Sequence, residues 1–489
     1  MKTILLLTLT AILLFTRTAT AEPVIIKGQA PEYAGEEFHL FIENNPILGK
    51  DSLLATKQIS DSGSFNIEIE INQTLEAYTY LGIYKSSIFI EPNNEYHIDL
   101  PARKEKTIHQ KHNPYFKPTP ARLGIKKQKN LETGDTIPEN QNLNASIQSF
   151  DAAFTSQRQK LSLNAAAGIT SKAKDSILKI FDGQFISSNN YFNQYKKYQL
   201  ASLEYMISKK KPIFFLEKYF KNAPVLLNNP AYTDLLLKCS NKLFQRLPAS
   251  PQNDTLIKYI EQDHSYSTIR DAFHLLKQPI LKDIVILKAF YDSYFSDNFK
   301  KEIILNHIKK MGQESSSIEI RRMASEIHNK LTRLKKGCKP PDFILPDQDS
   351  NMISLDSLKE QYIYLSFIRD NDYECQKQIR LLKRFREKEI AEQLDLVSIF
   401  AGDSYEKMLS FIKKHELNWT FLFFDGRDEL LNQYEIKAYP TYYLLSPSKK
   451  LLMSPAPGPN ENFGEKLHKK LRERGDLYPK EEGKSNLFK

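Results

Sequence analysis

Cysteine is what this sequence has least of among the residues that decide a chemistry. The 489-residue chain holds 3, Cys239, Cys338 and Cys375, too few and too scattered for a disulfide-stapled scaffold or a cysteine-rich zinc module. Because the number is odd, at least one thiol stays unpaired within a monomer. Glycine is also sparse, at 17, and no glycine-rich phosphate loop, nucleophile elbow or His-Glu-x-x-His zinc motif occurs. No paired histidine or carboxylate spacing nominates a metal, so the expected metal and cofactor complement is none. Beyond residue 22 no apolar run approaches the ~20 residues of a membrane-spanning helix.

What is present suffices for folding. Hydrophobic residues make up 41% and charged residues 26%, with 29 Phe and 25 Tyr, and at roughly 150 residues per domain the length implies about three domains. The start of the chain reads as an export signal, residues 1–21. Lys2 supplies a positive end, Ile4 to Phe15 is mostly apolar, Arg17 closes the run and Ala19-Thr20-Ala21 has the small-x-small pattern of a cleavage site. A mature chain beginning near Glu22 has no cysteine there to carry a lipid. The expectation is a protein of the periplasm or cell envelope with no transmembrane anchor.

The formal net charge is +10. Its densest cluster, Arg103, Lys104, Lys106, Lys111, Lys117, Arg122, Lys126, Lys127 and Lys129, lies in a proline-containing stretch with few aliphatic residues. It is expected to be a solvated basic linker, residues 102–141; with no reader motif beside it, no nucleic-acid partner is expected.

The rest of the mature chain falls into three zones. Residues 22–101 carry short alternating runs, such as Phe65-Asn66-Ile67-Glu68-Ile69, punctuated by Ser60-Asp61-Ser62-Gly63 and Glu91-Pro92-Asn93-Asn94. This pattern predicts an antiparallel β-sandwich of about seven or eight strands. Residues 142–335 change to helical spacing, as in Ile147, Phe150, Ala153 and Phe154, with prolines at the joints, predicting an all-α domain. Its aromatic run, Tyr191, Phe192, Tyr195, Tyr198 and Tyr205, is expected to be core, and Cys239 a buried small hydrophobe. Residues 336–475 alternate strand and helix patterns, which predicts an α/β domain on a parallel-centred sheet; residues 476–489 read as a polar tail.

In this last zone stand Pro341-Asp342-Phe343-Ile344-Leu345-Pro346-Asp347, Ser354-Leu355-Asp356-Ser357-Leu358-Lys359, the strand Tyr362 to Phe367, Trp419, and Tyr434-Glu435-Ile436-Lys437-Ala438-Tyr439-Pro440-Thr441. With these residues it resembles the thioredoxin-like fold, specifically the exported TlpA-like and AhpC/TSA-like group of Bacteroidota. The resemblance implies a cis bond at Tyr439-Pro440 and a partner-binding edge of Tyr439, Pro440 and Thr441. It also implies that redox-active members carry Cys-x-x-Cys at the start of the helix after the first central strand. Here the chain reads Asp372-Tyr373-Glu374-Cys375. Asp372 occupies the nucleophile position and Cys375 the resolving one.

A thiolate attacks a disulfide and leaves again; an aspartate does neither. Asp372 suits an N-cap, and its carboxylate raises the pKa of a nearby thiol. Cys375 is spaced to face the sheet with Ile379 and Leu382. Two readings stay open. In one, a redox-inactive envelope protein binds a peptide or protein partner, which itself carries a thiol in some cases; in the other, Cys375 acts as a single catalytic thiol resolved from outside. A Cys338–Cys375 disulfide is compatible with an oxidising compartment. Triplets such as Asp51-Ser52-Leu53 and Asp254-Thr255-Leu256 resemble sites of O-glycan attachment on exported proteins of the same bacteria.

Overall fold

The computed structural model describes residues 21–475, apart from 112, 114, 165–177, 182, 209, 387–392, 425 and 427. The expected signal segment, Ala21 aside, and the expected polar tail lie outside the described residues. The chain divides into two compact units, one made of Met1–Glu105 with Pro118–Ile320, the other of Lys106–Lys117 with Arg321–Lys489.

The first unit opens with nine strands in two sheets. Strands β1 (Glu22–Gln29), β4 (Ser64–Ile71), β7 (Asn94–Asp99) and β9 (Gly124–Asn130) lie in the order β4-β1-β7-β9. Strands β2 (Glu37–Asn45), β3 (Lys50–Gln58), β5 (Leu75–Leu81), β6 (Tyr84–Ile90) and β8 (Thr119–Arg122) lie in the order β3-β2-β5-β6-β8. Alternation decides which face is buried. In β4, Phe65, Ile67 and Ile71 turn inward while Asn66, Glu68 and Glu70 stay outside. Val24 and Ile26 of one sheet share a core with Phe38, Leu40, Ile88 and Ile90 of the other, the packing of a sandwich.

Two expectations need correction here. The sheets are mixed, because β1 pairs parallel with β7 and β6 parallel with β8: both late strands return to a sheet by crossover rather than by hairpin. The basic stretch is not wholly a solvated linker either, since it supplies β8 and β9. Lys126 and Lys127 point to water while Gln128 tucks under the sheet, its Nε2 donating to Asn94 Oδ1 at 2.9 Å. A lysine-rich strand at a sheet edge keeps its outer face charged and discourages further pairing, so its composition resembles that of a linker.

The helical zone as far as Ile320 belongs to this same unit, and residues 321–335 belong to the other. Helices Pro212–Phe220, Pro230–Ser240, Pro251–Glu261 and Pro279–Tyr294 each begin with proline, whose missing N–H is unneeded in a first turn. The side chains of Asn189, Asn229, Ser250 and Ser265 cap four helices. Phe192, Tyr195, Tyr198 and Cys239 are buried, as expected of core. Phe89 of β6 meets the rings of Tyr191 and Tyr195 edge-on at 5.8 and 5.9 Å. Arg122 of β8 reaches Glu76 at 2.9 Å and Asp151 of the helix Leu143–Asn164 at 3.1 Å, so helices and sandwich pack as one body.

The second unit carries a small hairpin, β10 (Ile344–Pro346) with β11 (Met352–Ser354), and a five-stranded sheet. That sheet holds β12 (Tyr362–Ile368), β13 (Leu394–Phe400), β14 (Thr420–Phe423), β15 (Thr441–Leu445) and β16 (Leu451–Ala456) in the order β14-β13-β12-β15-β16. The first three run parallel; β15 pairs antiparallel with β12, and β16 antiparallel with β15. Every residue of β12 is buried, as a central strand covered on both faces requires. Tyr362, Tyr364 and Ile368 pack with helices Tyr373–Arg386 and Phe463–Arg474; Ile363, Leu365 and Phe367 pack with Leu430 and Leu431 of the helix Asp428–Gln433. The protein is multidomain: β-rich at its N-terminus, helical in the middle and α/β at its C-terminus.

Candidate functional site

Strand β12 ends at Ile368, and the chain turns through Arg369, Asp370 and Asn371 into the helix Tyr373–Arg386. A helix leaves its first amide groups without partners inside it. Asp372 meets that need: its Oδ1 accepts the Cys375 N–H at 2.8 Å, and its carbonyl accepts Gln376 N–H at 3.1 Å. This is the geometry of an N-cap with its acceptor on the third residue of the helix.

Cys375 is fully buried in the apolar cluster of Ile379, Leu382 and Tyr442. Its Sγ accepts the backbone N–H of Arg369 at 3.4 Å. Burial pushes the thiol well above its ordinary pKa; the Arg369 N–H opposes this, and the Asp372 carboxylate adds to it. A thiol so placed stays protonated and poorly nucleophilic near neutral pH. Cys338 is half-buried, its backbone bonded to Lys335 and Leu451, and all three cysteines are free thiols, with no Cys338–Cys375 disulfide. Cys239 is also buried, its thiol pushed up to about 12 by desolvation.

The neighbouring strand brings the other expected site residues to the same place. Phe367 near the end of β12 pairs with Thr441 at the start of β15, which sets the loop before β15 beside the entry to the helix. The Tyr439–Pro440 peptide bond is cis, and Thr441 Oγ1 donates to the Ala438 carbonyl at 2.7 Å. The Arg369 guanidinium lies over the Tyr439 ring, 5.6 Å from its centre, and Tyr373, next to Asp372, is 76% exposed. Asp372, Cys375, Tyr439, Pro440 and Thr441 thus gather at adjacent ends of β12 and β15.

Two residues of this region have no role in the sequence reading. Arg369 is a charge at the close of an all-buried strand, and that position is its only signal. Tyr442 stands two residues past Pro440 in an apolar strand; its ring stacks on Tyr364 at 5.0 Å, and its buried Oη has no hydrogen-bond partner among the described residues. Among the described residues no group of three His, Cys, Asp or Glu is placed to hold a metal ion.

Residues 337–453 match the family model described as AhpC/TSA family. Solved structures resembling it include the thioredoxin domain of a thiol-disulfide oxidoreductase from Bacteroides vulgatus, at 17% identity, covering 27% of this chain and 96% of that one, with a TM-score of 0.26. A thiol-disulfide oxidoreductase from Bacteroides fragilis is 27% identical over 29% of this chain and 99% of that one, TM-score 0.23. A thiol:disulfide interchange protein from Bacteroides sp. is 20% identical over 28% and 91%, TM-score 0.26. No curated protein matches the chain. The C-terminal α/β domain is thioredoxin-like, with its sheet and the helix after β12 ordered as described, and in it a capping carboxylate and one buried thiol meet the cis-proline loop.

Proposed function

We propose that this is an exported cell-envelope protein whose thioredoxin-like domain is redox-inactive and binds an extended peptide or protein segment at the Tyr439–Pro440–Thr441 edge. One observation carries the reading: Asp372 is committed to the Cys375 N–H, and Cys375 is buried with its thiol held protonated. A dithiol cycle needs two sulfurs, one of them an accessible thiolate. What remains beside the cis bond is backbone able to pair with an extended chain, a recurrent mode of peptide recognition. Export is supported by the charge and apolar pattern of residues 1–21. Among the described residues no helix is long and apolar enough to cross a membrane.

The test is a disulfide-reduction assay on the purified full chain, run beside native thiol titration. The expected result is no turnover above that of the reductant alone and no rapid labelling of Cys375. Fast labelling of Cys375 near neutral pH, with turnover lost in Cys375→Ser, would replace this reading with the single-thiol one. Fractionation of expressing cells tests export, and a full-length precursor retained in the cytoplasm would remove that part.

A further inference from the structure

The residue this site does not explain is Arg369. Its backbone N–H goes to Cys375 Sγ, and its side chain lies on the Tyr439 ring. Its Nε is buried and has no hydrogen-bond partner among the described residues. Buried polar atoms in native proteins nearly always have partners, so an orphaned guanidinium N–H beside a proposed peptide edge marks a missing acceptor. Asp372 and Glu374, two of the carboxylates nearest in sequence, are engaged elsewhere. Asp372 accepts from Cys375; Glu374 accepts from Gln378 at 2.7 Å and lies 3.7 Å from Lys377. Asp370 lies within electrostatic reach of Lys407.

We infer that Arg369, seated on Tyr439 beside the Tyr439–Pro440 bond, reads a carboxylate on the bound chain. A guanidinium presents a planar fork of donors that matches a carboxylate with two parallel hydrogen bonds. The Tyr439 ring, 5.6 Å from the guanidinium carbon, holds the charge at the cis-proline edge. The carboxylate belongs either to an Asp or Glu side chain or to the chain's C-terminus, since both present the same two oxygens. This inference rests on the peptide-binding reading above and deepens it.

The experiment uses the full chain and four pools of short randomised peptides. The pools carry one fixed Glu or one fixed Gln, each with a free or an amidated C-terminus. The expected result is about tenfold stronger retention of a carboxylate-bearing pool than of the Gln-amide pool, equivalent to ~1.4 kcal/mol. Which pool carries the excess identifies the source of the carboxylate. In Arg369→Gln the excess is expected to vanish while retention of the Gln-amide pool stays. Should Arg369→Gln lose its native circular dichroism, the wild-type excess is followed against salt instead, and it must shrink as screening grows. Equal retention of all four pools overturns the carboxylate inference and leaves the peptide reading standing. Retention of none overturns both.

Discussion

The carboxylate of Asp372 and the amide of Cys375 form one hydrogen bond, Oδ1 to N, at 2.8 Å. The Asp372 side chain is thereby a structural part of the helix that follows. Asp372→Ala is expected to destabilise the thioredoxin-like domain by about 0.5–2 kcal/mol, the usual loss for an N-cap. Asp372→Asn retains an acceptor and should lose much less. Urea melts followed by fluorescence read the difference.

The two buried thiols set a pH limit. Cys239 and Cys375 both have raised pKa values in the folded chain because burial disfavours the thiolate. Unfolded thiols lose their protons near pH ~8.5. Above that pH the unfolded state binds fewer protons than the folded one, so stability falls as pH rises. The denaturation midpoint should drop between about pH 8.5 and 10, and the drop should flatten when both residues are replaced by alanine. At neutral pH a thiol reagent should label half-buried Cys338 first, and the other two only on unfolding.

The helical zone carries a limit of opposite sense. His307 is buried, its ring stacked on Phe290 at 5.0 Å and its Nε2 2.9 Å from the Ile260 carbonyl. Burial lowers its pKa, against the pull of that carbonyl and of Asp263. Unfolded histidine protonates near pH ~6.5 while the buried ring stays neutral, so its contribution is present above that pH and is lost as pH falls. His307→Phe should keep the stack, lose about 0.5–1.5 kcal/mol with the hydrogen bond, and show a shallower acid slope in melts between pH ~5 and 6.5.

Two tyrosines separate a made hydrogen bond from an unmade one. Tyr434 Oη donates to the Pro341 carbonyl at 2.6 Å, whereas Tyr442 Oη has no partner among the described residues. Tyr434→Phe should cost about 0.5–1.5 kcal/mol, and Tyr442→Phe should be neutral or slightly stabilising. Equal losses in thermal melts would mean that the Tyr442 hydroxyl has an acceptor after all.

Much of this fold is legible from spacing, and the exceptions have physical causes. Strand β15 lies at Thr441–Leu445, an apolar run between a proline and a serine-proline turn, where a buried strand has few alternatives. The hairpin β10–β11 has no such pattern: its strands are three residues long, too short for a period to show. Strand β9 was hidden by its lysines, since an edge strand with one wet face has the composition of a linker. At the site, the approach to the helix was legible because Asp, Cys and Pro each restrict geometry or chemistry. Arg369 was not, because its meaning depends on a ring that sits 70 positions later, at Tyr439, and arises only when β12 and β15 pair.

Strand β1 holds a central place in its sheet, between β4 and β7. One edge of β1 can pair once β4 is made, at Ile71, but the other stays unpaired until residues as far along as Asp99 exist, and the sheet is complete only with β9. Pairings so distant in sequence form slowly. The order of the strands along the chain thus makes the last-made strands of the sandwich the ones that complete its first-made one.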